Sequence, residues 1–300
     1  MANIHTPIPA LKLNDGTSIP MLSYGTGTAR SKRGKAEEEV DREIVDGCKL
    51  AMKLNYTHFD CAESYRNEVD LGVAIKESKI DPKNLYITTK VMHSVGDIDS
   101  AIKTSLKKLQ LPKVDLYLIH APYFANEGKD EQKLQEAWKA MEKVQADGLA
   151  TSIGVSNFLP AHLEAIMKTA KVTPACNQVE FHPYLPRKDL VAANKKYGIA
   201  TAAYGPLSAV TKAAPGPVDD ELASLARKYA VSPAEICLRW AIDQDVIAIT
   251  TSDKEQRLSD YLRVTKFKLT PEEIRRLSEE GDKKHFRGFW GAKFASDERL

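Results

Sequence analysis

The run VDLYLIHAP (Val114–Pro122) is an apolar strand pattern that ends at His120. Five other runs have the same form, an apolar stretch followed by polar side chains that can do chemistry. They are THFDCAESY with Asp60 and Tyr65, LYITTKV with Lys90, TSIGVSNF with Ser156 and Asn157, ACNQVEFHP with Gln178, and IATAAYGPL with Tyr204. A parallel barrel gathers the carboxyl ends of its strands around one mouth, so such residues become neighbours. The pattern predicts an enzyme.

Strands and helices alternate along the chain after an opening hairpin. ALKLNDGTSIPML (10–22) alternates apolar and polar residues about an Asn-Asp-Gly turn, which predicts a β-hairpin. Eight strands follow, MLSYG, THFD, NLYITTK, KVDLYLIH, TSIGVS, ACNQVEF, IATAAY and VIAIT. Helical periodicity predicts helices over 37–54, 68–77, 98–109, 131–146, 161–169, 187–197, 219–229, 233–244, 254–262 and 271–280.

This order predicts the α/β class, as a (β/α)8 TIM barrel with an N-terminal β-hairpin and extra C-terminal helices. No long Pro/Gly/Ser linker interrupts the sequence, so residues 1–300 are expected to form a single domain. A doubly wound open sheet is the rival fold, and it needs a G-x-G-x-x-G turn. Gly25-Thr26-Gly27-Thr28 lacks the third glycine and runs into SKRGK, which argues against that fold.

Composition excludes several classes of protein. The chain has 300 residues, 43% hydrophobic and 28% charged, with a formal net charge of only +2. This balance predicts neither nucleic acid nor an anionic membrane as a partner. The four cysteines form no C-x-x-C pair, so we expect no metal site and a reduced, cytoplasmic setting. The start of the chain shows neither a basic leader nor an apolar h-region, so we expect no secretory signal.

Four of the strand-end residues form a candidate catalytic group, Asp60, Tyr65, Lys90 and His120. A buried Lys beside a Tyr is expected to lower the pKa of the phenol toward the working pH, and a carboxylate would hold the Lys in place. His120 could donate a hydrogen bond to a substrate oxygen. Acid-base work alone would suit an isomerase, whereas hydride chemistry requires a cofactor.

Other strand ends suit that cofactor. Neutral groups that can grip a carboxamide are Ser156, Asn157 and Gln178, and Tyr204 could stack on a flat ring. The segment TTSDKEQR places Ser252, Lys254 and Arg257 at the start of a helix, which is a natural phosphate site.

Seven motifs follow one another along the chain, namely GTGT (25–28), DCAESY, ITTKV, LIHAP, GVSNF, NQVEFHPYL and AYGPL. Because these motifs occur in the order of that family, the chain resembles the aldo-keto reductase superfamily over nearly its whole length. TTSDKEQRL looks closest to the fungal branch that contains the conjugated polyketone reductases. The resemblance implies reduction of a small-molecule carbonyl compound with NADPH by a monomer. It implies Tyr65 as general acid, Lys90 tuning it, Asp60 pairing with Lys90, and His120 orienting the carbonyl.

The resemblance also implies the contacts of the ligands. The cofactor would contact Gly27, Thr28, Asp60, Ser156, Asn157, Gln178, Tyr204, Pro206, Leu207, Thr251, Ser252, Lys254 and Arg257. The substrate pocket would be formed by Ala29, Met92, Ala121, Tyr123, Phe124, Phe286 and Trp290. Relatives often carry Lys where this chain has Thr251, so one usual phosphate contact is missing, and Lys254 is expected to replace it.

Two other functions fit part of the pattern. A Lys at a strand end also suits a Schiff-base lyase or aldolase, in which Lys90 would attack a carbonyl. A nucleotide-sensing subunit without catalysis is the second, because the superfamily includes such members. Cys61 near the mouth could also be a nucleophile, but free cysteines are usually buried, which favours a packing role.

Overall fold

A computed structural model describes residues 7–32, 34, 36–295 and 298–299. Its centre is a closed barrel of parallel strands in the order β10-β3-β4-β5-β6-β7-β8-β9. The strands are β3 (Leu22–Gly25), β4 (His58–Asp60), β5 (Tyr86–Val91), β6 (Val114–Ile119), β7 (Ala150–Ser156), β8 (Cys176–Glu180), β9 (Ala200–Tyr204) and β10 (Val246–Thr250). The predicted (β/α)8 barrel is therefore confirmed.

The N-terminal hairpin closes the end of the barrel opposite the predicted mouth. Strands β1 (Ala10–Lys12) and β2 (Ser18–Pro20) pair antiparallel, with Leu11 opposite Ile19. Ile19 and Leu13 pack in one hydrophobic cluster with barrel side chains such as Leu116 and Ile247. Burying apolar surface stabilises a fold by about 25 cal/mol per Å², so these contacts hold the hairpin against the barrel and close that end to water.

Helices surround the barrel and pack on its outer face through two hydrophobic clusters. They are α1 (Arg42–Lys53), α2 (Glu68–Ser78), α3 (Ile98–Leu109), α4 (Glu131–Ala146), α5 (Pro160–Met167), α6 (Lys188–Lys196), α7 (Asp219–Tyr229), α8 (Pro233–Ile242), α9 (Glu255–Tyr261) and α10 (Pro271–Asp282). The extra C-terminal helix α10 begins at a capping box formed by Thr270 and Glu273.

Helix α1 begins later than predicted. The expected start was Glu37, whereas the helix begins at Arg42 behind Asp41, whose side chain accepts a hydrogen bond from the Glu43 N–H. The buried Lys32 ammonium donates to the backbone carbonyls of Glu37 and Glu39. These two carbonyls point toward the Lys32 ammonium, and the helix begins only after them, at Arg42.

The four cysteines are all buried and free. Cys61, the one nearest the mouth, donates its thiol hydrogen to the Thr88 carbonyl at 3.3 Å, and burial raises its pKa well above the ordinary value. A thiol held in its neutral form is a poor nucleophile, so the structure favours packing for Cys61. Within the described ranges, no helix has the length and apolar character to cross a bilayer, and no His/Cys/Asp/Glu group has the arrangement of a metal site.

Candidate active site

The predicted catalytic group converges at the carboxyl end of the barrel. Lys90 leaves β5 with its ammonium fully buried, 2.6 Å from Asp60 Oδ1 and 3.5 Å from the Tyr65 hydroxyl. Its third donor goes to the Cys61 carbonyl at 2.9 Å. All three N–H groups of the ammonium are directed at acceptors, so the group is fixed and charged.

Charge states follow from burial and from this pairing. Burial alone would lower the pKa of Lys90, but the adjacent Asp60 carboxylate and Tyr65 raise it above its ordinary value. For Tyr65 the prediction was wrong in its net direction, because burial raises the pKa of the phenol above its ordinary value and the Lys90 ammonium only partly opposes that rise. Tyr65 is therefore a phenol at neutral pH, with a cation beside it that stabilises the phenolate once a proton leaves.

His120 lies against Tyr65, with ring centroids 5.4 Å apart in an edge-to-face arrangement. Burial, and then the positive charge of Lys90, lowers the pKa of His120 well below its ordinary value, so the ring is neutral at pH 7. Its Nδ1 lies 3.2 Å from the Ser64 hydroxyl. When Ser64 donates to Nδ1, the proton sits on Nε2, where a neutral imidazole can donate to a carbonyl oxygen.

The position of Tyr65 depends on the absence of a side chain at Gly27. A Cβ at Gly27 would stand 2.8 Å from Tyr65 Cζ and 3.1 Å from its hydroxyl oxygen. Gly27 precedes the 3-10 turn Thr28–Arg30 that leads away from β3. The first βα loop therefore lies against the phenol, and Gly27 leaves room for it; the predicted contact of Gly27 with the cofactor stays a prediction.

Beside the catalytic group, two amides face the same cavity. Gln178 donates to Asp60 Oδ2 at 2.7 Å, and Asn157 donates to the His120 carbonyl at 2.9 Å. Tyr204 donates its hydroxyl to Asn157 Oδ1 at 2.6 Å, and its ring borders the cavity. These bonds lock the amides next to the catalytic group, with further acceptor capacity on Gln178 Oε1 and Asn157 Oδ1.

Ser156 differs from the prediction of a direct ligand contact. Its side chain is fully buried, donates to the Gln178 carbonyl at 2.7 Å and accepts from the Asn157 amide at 3.0 Å. The structure thus places Ser156 behind the cavity wall, where it supports Asn157 and Gln178.

The far end of the cavity suits an anion. Thr251, Arg257 and Tyr261 line it there, after strand β10. The Thr251 hydroxyl is buried there, with no hydrogen-bond partner within 3.5 Å in the described part of the chain, but it lies close enough to the Tyr24 phenol to oppose the rise that burial causes in the pKa of that group. Ser252 accepts from the Lys254 N–H at 3.1 Å, and Lys254 is exposed outside the cavity lining. The contact between Lys254 and a phosphate therefore stays a prediction.

The cavity between these ends has a volume of about 490 Å³, within the range of small-molecule sites. Of the predicted pocket residues, Met92 and Trp290 line it, and Tyr123 packs on Trp290 with centroids 5.1 Å apart. Of the predicted cofactor residues, the lining includes Gly27, Thr28, Asp60, Asn157, Gln178, Tyr204, Pro206, Leu207, Thr251 and Arg257.

Three predicted pocket residues lie elsewhere. Phe124 packs against the large core cluster and Phe286 against a second one, while Ala121 is buried at the start of the turn Pro122–Phe124. They do not line this cavity, and their contact with a substrate stays a prediction. The side chain of Ala29 lies outside the described residues.

Sequence reasoning missed several residues that line the cavity, namely Ser64, His93, Thr211, Lys212, Tyr261 and Phe289. Phe289 supplies the wall that had been assigned to Phe286. Its N–H and that of Gly288 donate to the two carboxylate oxygens of Glu180, at 3.2 and 2.7 Å. Ser64 had a usable signal, because it directly precedes Tyr65 in DCAESY.

The arrangement limits the chemistry. An ammonium tied to Asp60 with a raised pKa is a poor Schiff-base nucleophile, so the lyase reading of Lys90 loses its support. The cavity is lined by the two amides beside Tyr65 and, after strand β10, by Thr251 and the Arg257 guanidinium. This set of polar groups fits a nicotinamide dinucleotide.

Comparison with known proteins gives the family. Residues 21–281 match the aldo/keto reductase family. The NAD/NADP-dependent indole-3-acetaldehyde reductase of Schizosaccharomyces pombe is 43% identical over 276 residues, which cover 91% of this chain and 96% of the relative. Human aldo-keto reductase family 1 member A1 is 33% identical over 293 residues, with 89% and 87% covered.

Solved structures agree with the sequence relatives. An aldo/keto reductase from Brucella melitensis superposes with a TM-score of 0.79 at 35% identity, covering 91% of this chain and 99% of that one. A Bombyx mori aldo-keto reductase in complex with NADP gives a TM-score of 0.79 at 31% identity, with 92% and 93% covered. The chain belongs to the aldo/keto reductase family and is an oxidoreductase.

Proposed function

We propose that this protein reduces aldehydes and ketones to alcohols with NADPH, using Tyr65 as the general acid. The observation that carries the proposal is the contact chain Tyr65 hydroxyl–Lys90 ammonium–Asp60 carboxylate, with separations of 3.5 and 2.6 Å, at the mouth of the barrel. These three groups supply a proton from the Tyr65 oxygen and stabilise the phenolate that remains.

Each residue has one task in the mechanism. Tyr65 donates its phenolic proton to the carbonyl oxygen of the substrate. Lys90 stabilises the resulting phenolate, and Asp60 keeps Lys90 in place. Neutral His120 donates a hydrogen bond to the same carbonyl oxygen, which orients it toward Tyr65 and polarises the carbonyl.

NADPH supplies the hydride that no side chain can donate. Asn157 and Gln178 would hold its carboxamide, and Tyr204 would pack on the nicotinamide ring. Arg257 and the buried Thr251 hydroxyl would contact the 2′-phosphate. The support for this assignment is that the amides and the guanidinium line one continuous cavity. The Bombyx mori relative in complex with NADP and the NAD/NADP-dependent relative from Schizosaccharomyces pombe point to the same cofactor class.

Aromatic and apolar walls favour flat or hydrophobic carbonyl substrates. Met92, Phe289 and Trp290 face the catalytic end, and Trp290 is held by Tyr123. We propose aldehydes, α-dicarbonyls and cyclic diketones as substrate classes, as expected from the resemblance to the conjugated polyketone reductases. The relative named for indole-3-acetaldehyde adds an arylacetaldehyde to the set. The monomeric state and the cytoplasmic location stay predictions.

The experiment has two stages. Quenching of protein fluorescence by NADPH and NADH first measures cofactor binding, and NADPH oxidation is then followed with a panel from the four carbonyl classes. We expect submillimolar binding of NADPH and turnover of at least one class. Binding without turnover across the panel would favour a nucleotide-sensing subunit, and no binding of either nucleotide would refute the proposal.

A further inference from the structure

Two βα loops at the end of the cavity that suits an anion are joined by an ion pair. Arg30, in the turn after β3, places Nη2 2.5 Å from Asp253 Oδ1, in the loop after β10. Strands β3 and β10 are neighbours in the barrel, so the pair bridges the first and the last βα loop. The same β10 loop supplies Thr251 and Arg257 to the cavity lining.

Arg30 is the fixed partner of the pair and Asp253 the exposed one. The Arg30 side chain is 12% exposed, whereas that of Asp253 is 69% exposed. Arg30 Nη1 donates to the Glu43 carbonyl at 3.2 Å. A Cβ at Gly47 of α1 would stand 3.0 Å from Nη2, so the missing side chain leaves room for the guanidinium.

The charge count shows why this pair matters. The segment Ser252–Arg257 contains two carboxylates, Asp253 and Glu255, and two cations, Lys254 and Arg257. It is therefore neutral by itself and offers a phosphate monoester no net attraction. With Arg30 added, the group of five side chains carries one net positive charge.

We infer that the Arg30–Asp253 ion pair sets the preference of this protein between NADPH and NADH. Arg30 neutralises a carboxylate that would otherwise repel a 2′-phosphate. Asp253 in turn limits how strongly the loop favours the phosphate, because its negative charge offsets the positive charge of the guanidinium. The inference rests on the proposed nicotinamide cofactor and adds two residues with opposite effects to it.

The two partners therefore predict opposite shifts. Arg30→Met leaves a neutral loop with an unmasked carboxylate, so the Kd for NADPH should rise at least about fivefold while that for NADH changes less than about twofold. Asp253→Asn leaves two net positive charges, so the Kd for NADPH should fall, by about threefold, again with little change for NADH. The double variant restores the original net charge, and its preference should return toward the wild-type ratio.

Fluorescence titration with both nucleotides measures these ratios without turnover. It should be repeated at low and high salt, because a charge effect at an exposed site is screened by ions. Arg276→Met is the matched control, since it removes an ion pair with Glu221, at 3.0 Å between α10 and α7. This variant should leave the ratio of the two Kd values unchanged.

If the Arg30–Asp253 ion pair only holds the two loops together, the Kd values of the variants follow a different pattern. Both single variants would then weaken NADPH and NADH equally, the double variant would stay weak, and the inference would be overturned. An unchanged ratio in both single variants would overturn it as well. If the unmodified protein binds neither nucleotide, the proposed function itself fails, which is a separate result.

Discussion

Replacing Lys90 by Met tests how strongly the ammonium stabilises the phenolate of Tyr65. The two groups are 3.5 Å apart, and two unit charges at this distance interact by about 5 kcal/mol at an effective dielectric constant of about 20. The Asp60 carboxylate, 2.6 Å from the ammonium, offsets part of this. We therefore expect a net loss on the order of 2–3 kcal/mol in the transition state, which is about a hundredfold in rate.

Single-turnover measurement of carbonyl reduction, at saturating NADPH, reports this step. Binding of NADPH should change little, because Lys90 lies behind Tyr65 and not in the cavity lining. Lys90 opposes the rise in the pKa of Tyr65, so removing it raises that pKa further. Oxidation of an alcohol by NADP requires the phenolate as base, so its pH profile should move to higher pH in the variant.

The substitution also breaks a buried ion pair, which costs about 3–5 kcal/mol when one charge is left alone. Urea unfolding must therefore accompany the kinetics, and the double variant Asp60→Asn/Lys90→Met provides a neutral pair that should recover stability but not rate. A folded Lys90→Met protein that reduces carbonyls within about threefold of the wild-type rate would refute the reasoning. So would recovery of the rate in the double variant.

Three further predictions concern the surroundings of the site. Burial lowers the pKa of His58 to about 4, so between pH 6.5 and 4 the unfolded state binds more protons. The free energy of unfolding should therefore fall with the pH, by about 2 kcal/mol at pH 5 from this group, as measured by urea titration at pH 7 and 5. An equal fall in His58→Gln would contradict this. Gly27→Ala should displace Tyr65 and lower kcat for carbonyl reduction at least about tenfold in a folded protein, as the contacts of 2.8 and 3.1 Å require; unchanged kcat would count against it. Glu180→Gln should loosen Phe289, because backbone N–H bonds to a carboxylate are stronger than those to an amide. We expect KM for the carbonyl to rise severalfold while the Kd for NADPH stays constant. A parallel loss of NADPH binding would show that Phe289 does not act on the substrate alone.

The barrel and the residues that meet at its mouth could be predicted because they depend on local patterns. Each strand and the polar residue that follows it can be recognised in a short segment of sequence. Closure of the barrel then brings Asp60, Lys90 and His120 together. The hydroxyl of Tyr65 was placed correctly for the same reason. Its pKa was not, because that depends on how much protein surrounds the phenol, which a sequence pattern does not give.

Residues in irregular segments were harder to predict. HFRGFW offers several aromatic residues without periodicity, and the choice of Phe289 over Phe286 as the cavity wall is made by distant Glu180, which binds the backbone at Gly288 and Phe289. The late start of α1 has a similar cause, since Lys32 folds back on carbonyls that would otherwise continue the helix. The Glu180 contacts span 108 and 109 residues and the Lys32 contacts only five and seven, but both join a side chain to the backbone, which sequence periodicity does not encode.

We propose that Tyr65 protonates a carbonyl that receives hydride from the cofactor. Mass spectrometry of the alcohol formed from NADPH carrying deuterium on the transferred position tests it directly, with unmodified protein and Tyr65→Phe side by side. We predict one deuterium per alcohol from the unmodified protein, and from Tyr65→Phe at least about a hundredfold less product at unchanged NADPH affinity. Product from Tyr65→Phe at the unmodified rate, or alcohol without deuterium, would contradict the account.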